Sequence, residues 1–144
     1  MSKKNKEVLE IRPRMGVEIM EAYHLLNDRS EEFFARFEIT PQQFNVLAIL
    51  HYTGPVSTSV ILEWMFEKNA GVSRLVDRLV KKGLVVKKAN PGDNRLIEVD
   101  LTSKGEEMYQ LISPQIKEID GVSENLTDQE VRQLIQLLVK LKGY

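Results

Sequence analysis

The sequence predicts a mainly α-helical chain with a small β-hairpin wing: a winged helix-turn-helix domain between terminal helices that form a dimerisation region. Two observations carry this prediction. Apolar residues recur at helical spacing through most of the 144 residues, whereas residues 84–101 are strand-forming around a polar Pro-Gly turn. Helix-start and helix-stop signals then divide the helical part into six helices, four before the hairpin and two after it.

The first two helices are separated by a sharp start signal. The first is expected from about Met15 to Phe37, because Pro13 should prevent a helix from forming earlier. Thr40-Pro41-Gln42-Gln43 combines a capping hydroxyl, a proline at the first helical position and a glutamine that can bond back to the cap. The second helix begins there and is expected to end at Gly54.

The fourth helix is strongly amphipathic. The third helix is expected to open at Ser57, and the fourth runs from about Asn69, a possible cap, to Lys82, before Gly83. The apolar face of the fourth helix carries Val72, Leu75, Val76, Leu79 and Val80. Its opposite face carries Ala70, Ser73, Arg74, Asp77, Arg78 and Lys81. Hydroxyl and guanidinium groups on an outward face suit phosphates and base edges, although an ordinary surface helix has a similar pattern.

A hairpin follows, with Lys87 and Lys88 on its first strand. Arg95 lies near its tip, where an arginine on a thin projection can enter a narrow A·T-rich minor groove. Asp93 is expected to hold that arginine by a charge-assisted hydrogen bond. The alternative is a solvated turn with an ion pair worth less than ~1 kcal/mol.

The C-terminal part of the chain is expected to form two further helices, and both ends of the chain are rich in apolar residues. Thr102 should cap a fifth helix that Pro114 kinks, and Thr127 should open the last helix with a second capping box. The terminal segments hold more apolar positions than one chain easily hides, so they either pair two copies of the chain or pack on its own core, and composition does not separate these two alternatives. The expected divisions are an N-terminal dimerisation segment (1–37), the winged domain (38–101) and C-terminal dimerisation helices (102–144).

Charge and composition narrow the function classes. The segment from Lys68 to Arg95 holds eight basic and two acidic residues, although the whole chain has a net charge of −1. A basic segment in an otherwise acidic chain is typical of a face that binds a polyanion. Without cysteine, disulfides and thiolate metal sites are excluded, and without a long apolar run the expected compartment is the cytosol.

No enzyme is expected, and neither is a cofactor or a metal. The glycines are scattered at turns and caps, and His24 and His51 have no carboxylate or cysteine cluster at motif spacing. The competing function is a winged helix that binds a protein or RNA. The basic outward face counts against a protein partner, and the narrow major groove of RNA counts against a helix in that groove.

Several motifs together resemble the MarR family of bacterial transcriptional regulators. They are VSRLVDRL from Val72, KKGLV from Lys81, DxR from Asp93 and LTxxG from Leu101, and TPQQF from Thr40 is similar to an earlier landmark. Members of that family are dimeric winged-helix proteins that bind palindromic operators. The resemblance therefore implies a double-stranded-DNA-binding regulator of transcription, with repression as the expected action.

The resemblance also implies site residues. It places Ser73, Arg74 and Arg78 on the recognition helix, and Arg95 on the wing with Asp93 positioning it. The complete set of expected DNA-binding residues is Asn69, Ser73, Arg74, Arg78, Lys81, Lys87, Lys88, Asp93 and Arg95. The chain departs from the family pattern at Phe66, Lys68 and Gly71.

Many members of the family release DNA when a small aromatic or anionic ligand binds. Methionines and aromatic residues suit such a cavity, but a plain hydrophobic core is the more common place for them. The candidate ligand-binding residues are Met20, Tyr23, His24, Phe34 and Tyr52.

Overall fold

The computed structural model describes residues 9–66 and 71–143. The elements are α1 (Ile11–Ala35), α2 (Pro41–Thr53), α3 (Thr58–Trp64), α4 (Val72–Lys81), β1 (Val85–Asn90), β2 (Asp93–Leu101), α5 (Ser103–Ile112), a 3₁₀ helix (Ser113–Ser123) and α6 (Asp128–Lys142). They form two compact units: one, the winged-helix unit, runs from Ser30 to Gln115, and the other joins the described residues up to Arg29 with those from Ile116 onward. Within the described ranges, no helix is both long and apolar enough to cross a membrane.

The first helix begins earlier than expected. The prediction that Pro13 prevents a helix was wrong, because α1 starts at Ile11 and includes that proline in its first turn. A proline is tolerated there, since the amides of the first turn have no partner within the helix. The next amide, that of Arg14, donates to the Glu10 carbonyl at 3.0 Å.

The predicted helix starts are confirmed at four positions. The Thr40 hydroxyl accepts from the Gln43 amide at 3.1 Å, and the Gln43 side chain accepts from the Thr40 amide at 3.2 Å. Thr127 forms the same reciprocal box at the start of α6. Ser57 and Thr102 each accept an amide hydrogen bond at the starts of α3 and α5. Local sequence therefore fixes where these helices begin.

Helix α2 forms the centre of the winged-helix unit and packs against α3, α4, α5 and β2. The Phe44 ring stacks on Phe34 with centroids 4.9 Å apart and on Tyr109 at 5.8 Å. The side chains most deeply enclosed around α2 are Val46, Leu47, Leu50, Ile61, Met65, Val76, Leu79, Leu84, Val99 and Ile112. This core fixes α4 and the base of the hairpin on one scaffold.

The hairpin is present as predicted, and one residue outside it, Val56, forms a β-bridge to its second strand. Strands β1 and β2 are antiparallel, with Lys87 opposite Val99. Val56, in the connection between α2 and α3, pairs with Val99 through two hydrogen bonds: its amide donates to the Val99 carbonyl at 3.2 Å and its carbonyl accepts from the Val99 amide at 2.8 Å. This bridge ties the base of the wing to the helix-turn-helix.

Two helix expectations need correction. The fifth helix does not continue through a kink at Pro114: α5 ends at Ile112 and a 3₁₀ helix follows. Proline has no amide for the carbonyl four residues earlier, and its ring clashes with that carbonyl. In the described residues α4 starts at Val72 with Gly71 as its cap, and the predicted cap Asn69 lies outside them.

Candidate nucleic-acid interface

Helix α4 presents the two faces that its sequence predicts. Val72, Leu75, Val76 and Leu79 are buried. The exposed residues are Ser73, Arg74, Asp77, Arg78 and Lys81. Val80 was also expected on the buried apolar face, but its side chain is 39% exposed. The helix therefore buries four apolar side chains and leaves a continuous polar strip.

The start of α4 depends on a glycine. Gly71 has φ 60° and ψ 59°, a left-handed conformation that glycine adopts without steric cost. Its carbonyl accepts from the Arg74 amide at 3.0 Å and from the Leu75 amide at 3.2 Å, and no side chain caps the helix. The departure from the family at this position thus supplies the backbone geometry with which the helix begins.

Two guanidinium groups on the polar strip are available to a ligand. Arg74 and Arg78 are exposed, and neither forms an ion pair within the part of the chain that the structure describes. Arg74 and Arg78 are one helical turn apart, so their side chains lie on the same side of α4. Free guanidinium groups in this arrangement can bind phosphates or grip guanine in a bidentate manner.

The wing arginine is held by the aspartate two residues earlier. Arg95 Nε lies 3.1 Å from Asp93 Oδ1, Arg95 Nη2 lies 3.2 Å from Oδ2, and the Arg95 amide donates to Oδ1 at 3.0 Å. The hydrogen bonds from the Arg95 side chain, and then its backbone amide, hold the pKa of Asp93 below its usual value. The Arg95 side chain is nevertheless 90% exposed. The contact that the spacing predicts is therefore present, and the guanidinium remains accessible.

The tip of the wing is ordered by a residue that the sequence analysis did not single out. Asn90 Oδ1 accepts from the amides of Gly92 at 2.7 Å and Asp93 at 3.1 Å. The Asn90 side-chain amide also donates to Glu98 Oε1 at 2.5 Å. An asparagine directly before Pro-Gly is the local signal for this Asx turn. The turn orients the Asp93 carboxylate toward Arg95.

Three lysines of the basic segment have partners within the chain. Lys87 Nζ lies 2.7 Å from Asp77 Oδ1 on α4, and Lys88 Nζ lies 2.6 Å from Asp100 Oδ2. Lys82 donates to the Glu38 carbonyl and, at 3.2 Å, to Gln43 Oε1. Counting basic residues in the sequence therefore overstates the charge that is free to meet a polyanion.

The candidate ligand residues do not form one cluster in the winged-helix unit. Met20, Tyr23 and His24 lie on the part of α1 in the other unit, where Met20 is 62% and Tyr23 57% exposed. Phe34 is in the core, and Tyr52 is 75% exposed with its hydroxyl accepting from Tyr109 at 3.1 Å. Their role in ligand binding stays a prediction.

His51 has a carboxylate neighbour that its sequence position does not indicate. Its Nδ1 lies 2.9 Å from Glu106 Oε1, and its ring stacks on Tyr109 with centroids 4.0 Å apart. Hydrogen bonds from Gln110 and His51 lower the pKa of Glu106. Among the described residues, no three His, Cys, Asp or Glu side chains are grouped to hold a metal ion.

Comparison with known proteins agrees with this geometry. A model of the MarR family matches residues 39–97. The chain is 32% identical over 127 residues to the multiple antibiotic resistance protein MarR of Escherichia coli, covering 82% of this chain and 86% of that protein. It is 33% identical over 104 residues to the HTH-type transcriptional repressor MdtR of Bacillus subtilis, covering 72% of this chain and 67% of that one.

The fold is similar to a solved structure of a mutant MarR from E. coli complexed with operator DNA. The TM-score is 0.80 at 24% sequence identity, and the match covers 98% of this chain and 99% of that chain.

Proposed function

Because the chain belongs to the MarR family of transcriptional regulators, we propose that it binds a palindromic operator as a homodimer and represses the promoter that contains this operator. As a member of that family, it is a DNA-binding regulator of transcription and not an enzyme. The operator-bound E. coli MarR and the name of the B. subtilis repressor support the finer proposal.

The observation that carries the proposal is a surface in two parts on one scaffold. Exposed guanidinium groups with no ion pair among the described residues lie on α4 at Arg74 and Arg78, and an accessible guanidinium lies on the wing at Arg95. A helix of this width fits the major groove, and a thin hairpin fits the adjacent minor groove. We therefore assign base and phosphate contacts to α4, together with Ser73 and Lys81, and minor-groove contact to the wing. The contact predicted for Asn69 lies outside the described residues and stays a prediction.

The homodimer is supported by apolar side chains that a single chain leaves exposed. Helix α6 has no buried residue. Its exposed apolar side chains include Leu134, Ile135, Leu137, Leu138 and Leu141. Exposed apolar patches of this kind mark interaction surfaces, and a second copy is the partner that a two-fold operator requires. Two recognition helices would then meet half-sites about 10 base pairs apart.

Selection from a pool of random DNA duplexes tests the proposal. We expect the full-length protein to enrich an inverted repeat and to bind the selected duplex with two chains per duplex in sedimentation equilibrium. The logarithm of the association constant should fall linearly with the logarithm of salt concentration, with a slope of about −0.9 for each neutralised phosphate. A duplex RNA of the same sequence is the control.

Three results would contradict the proposal. The first is that the protein binds no duplex at low salt, and the second is that the complex contains a single chain. The third is tighter binding to the RNA control than to the DNA duplex, and that result would favour the alternative of an RNA-binding module.

We also propose that a small aromatic or anionic molecule releases the operator, through residues among Met20, Tyr23, His24, Phe34 and Tyr52. Exposed aromatic and methionine side chains on α1 support this, since such side chains adapt to ligands. Phe34 is already stacked on Phe44, so we expect Met20, Tyr23 and His24 to contribute more. Adding sodium benzoate to the complex should release DNA, whereas sodium chloride at equal ionic strength should not. Equal release by both salts would reject an effector of this class.

A further inference from the structure

The recognition helix and the wing are joined by an ion pair between side chains. Lys87 Nζ on β1 lies 2.7 Å from Asp77 Oδ1 on the polar strip of α4. Lys87 is opposite Val99 in the hairpin, and Val99 is fully buried at the base of the wing. Beyond this point the hairpin leaves the core, and Leu96 and Ile97 are more than half exposed. The ion pair is thus located where the wing separates from the rest of the unit.

A carboxylate on this strip calls for an explanation. Asp77 lies on the same exposed side of α4 as Arg74 and Arg78, and an isolated carboxylate there would repel the phosphates of a duplex. The hydrogen bond and charge of Lys87, with a smaller contribution from Lys81, lower the pKa of Asp77. The carboxylate is therefore ionised at neutral pH and directed to the wing, and the pair presents no net charge to the duplex.

The pair is too exposed to be important for stability. The Lys87 and Asp77 side chains are 44% and 58% exposed, and ion pairs of this exposure contribute little to folding. Its effect on geometry matters more than its effect on stability, because the pair restrains the angle between α4 and the hairpin. In the proposed complex these two elements enter neighbouring grooves. A small rotation of the hairpin about its base displaces Arg95, at the far end, more than it displaces Lys87.

We propose that Asp77 and Lys87 form a tether that fixes the wing relative to the recognition helix on duplex DNA. In this proposal, which rests on the proposed function, Lys87 is a positioning residue and not a phosphate contact. This revises the direct DNA contact that the sequence predicts for Lys87. The tether ensures that Arg95 reaches the minor groove when α4 is seated in the major groove.

The test uses Asp77→Asn, Lys87→Gln, the double variant and the reversed pair Asp77→Lys with Lys87→Asp. Fluorescence anisotropy with the selected duplex measures affinity over a range of salt concentrations. We expect each single variant to weaken binding about fivefold, the double variant to be no worse than either, and the reversed pair to recover part of the loss. Lys87→Gln should leave the salt slope unchanged, because the lysine releases no counterion.

Two controls separate positioning from general charge or folding. Asp100→Asn removes the carboxylate that pairs with the neighbouring Lys88, and we expect it not to weaken binding. Combined with Arg95→Ala, neither tether variant should weaken binding further, since there is no longer a wing arginine to position. Thermal unfolding of the single variants should match that of the parent, which a purely structural pair would not predict.

The tether is overturned if Lys87→Gln reduces the salt slope by about one, or if Asp77→Asn binds as tightly as the parent or more tightly. In either case the parent still binds the duplex, so the proposed function stands. If the parent itself binds no duplex, both proposals are overturned.

Discussion

Replacing Gly105 with alanine is expected to lower the free energy of unfolding of the winged-helix unit by about 3 kcal/mol. A Cβ at this position would lie well inside van der Waals contact of the Leu84 carbonyl oxygen and 3.1 Å from Leu101 Cδ2. The Leu84 carbonyl is backbone, accepts from the Thr102 amide at 3.1 Å, and belongs to a residue that is 1% exposed. Relief of the clash therefore requires α5 to move away from the connection between α4 and β1.

Denaturation in urea, followed by circular dichroism, measures this loss. Gly16→Ala is the matched control, because among the described residues, apart from its chain neighbours and the adjacent turns of its own helix backbone, no atom lies within 4 Å of a Cβ at that helical position. Alanine there should raise stability by about 0.5–1 kcal/mol, since it removes the entropic cost of a helical glycine. Equal stability of Gly105→Ala and the parent would show that the approach of α5 to Leu84 is not as close as described.

Arg95→Ala is expected to weaken binding to the selected duplex by about 1–3 kcal/mol. The side chain is 90% exposed and is held by Asp93, so its loss removes the proposed groove contact and leaves the core intact. Thermal unfolding should therefore be unchanged. The loss of affinity should exceed that of Asp93→Asn, because that substitution removes the restraint on the guanidinium but keeps the guanidinium itself.

Anisotropy titrations with two duplexes test the proposal that Arg95 reads the minor groove. The duplexes share the half-sites and differ in having A·T-rich or G·C-rich pairs under the wing. We expect the parent to prefer the A·T-rich duplex and Arg95→Ala to lose that preference, because a narrow A·T minor groove has the more negative potential. Asn94→Ala, at the adjacent exposed position, is the control. Equal binding by Arg95→Ala and the parent would reject a role for the wing arginine.

Features encoded in short segments could be predicted from sequence. The capping boxes at Thr40 and Thr127 involve residues three apart, and the Asp93–Arg95 contact involves residues two apart, so their chemistry is readable locally. The buried face of α4 also follows from spacing. Val80 deviates because it lies at the edge of that face, where periodicity does not determine exposure.

Contacts between residues that are far apart in the chain leave no pattern in the sequence from which they could be predicted. The bridge from Val56 to Val99 and the bond from His51 to Glu106 join segments that only the fold brings together. The same limit applies to Lys87: the sequence shows a basic residue near the wing but not the carboxylate that it meets. Charge counts therefore point to the face that we propose binds DNA, but they overestimate how many of its lysines lack a partner among the described residues.

The backbone bridge between Val56 and Val99 connects the base of the wing directly to the helix-turn-helix. Both backbone hydrogen bonds of Val99 go to Val56 in the α2–α3 connection, while Val99 lies opposite Lys87 in the hairpin. The root of the hairpin is therefore held to the helices by this bridge together with the Asp77–Lys87 pair. We therefore expect the hairpin to bend mainly in the stretch between that root and the Asx turn. On the proposed operator, the wing would then adapt to grooves of unequal width without disturbing the packing that supports it.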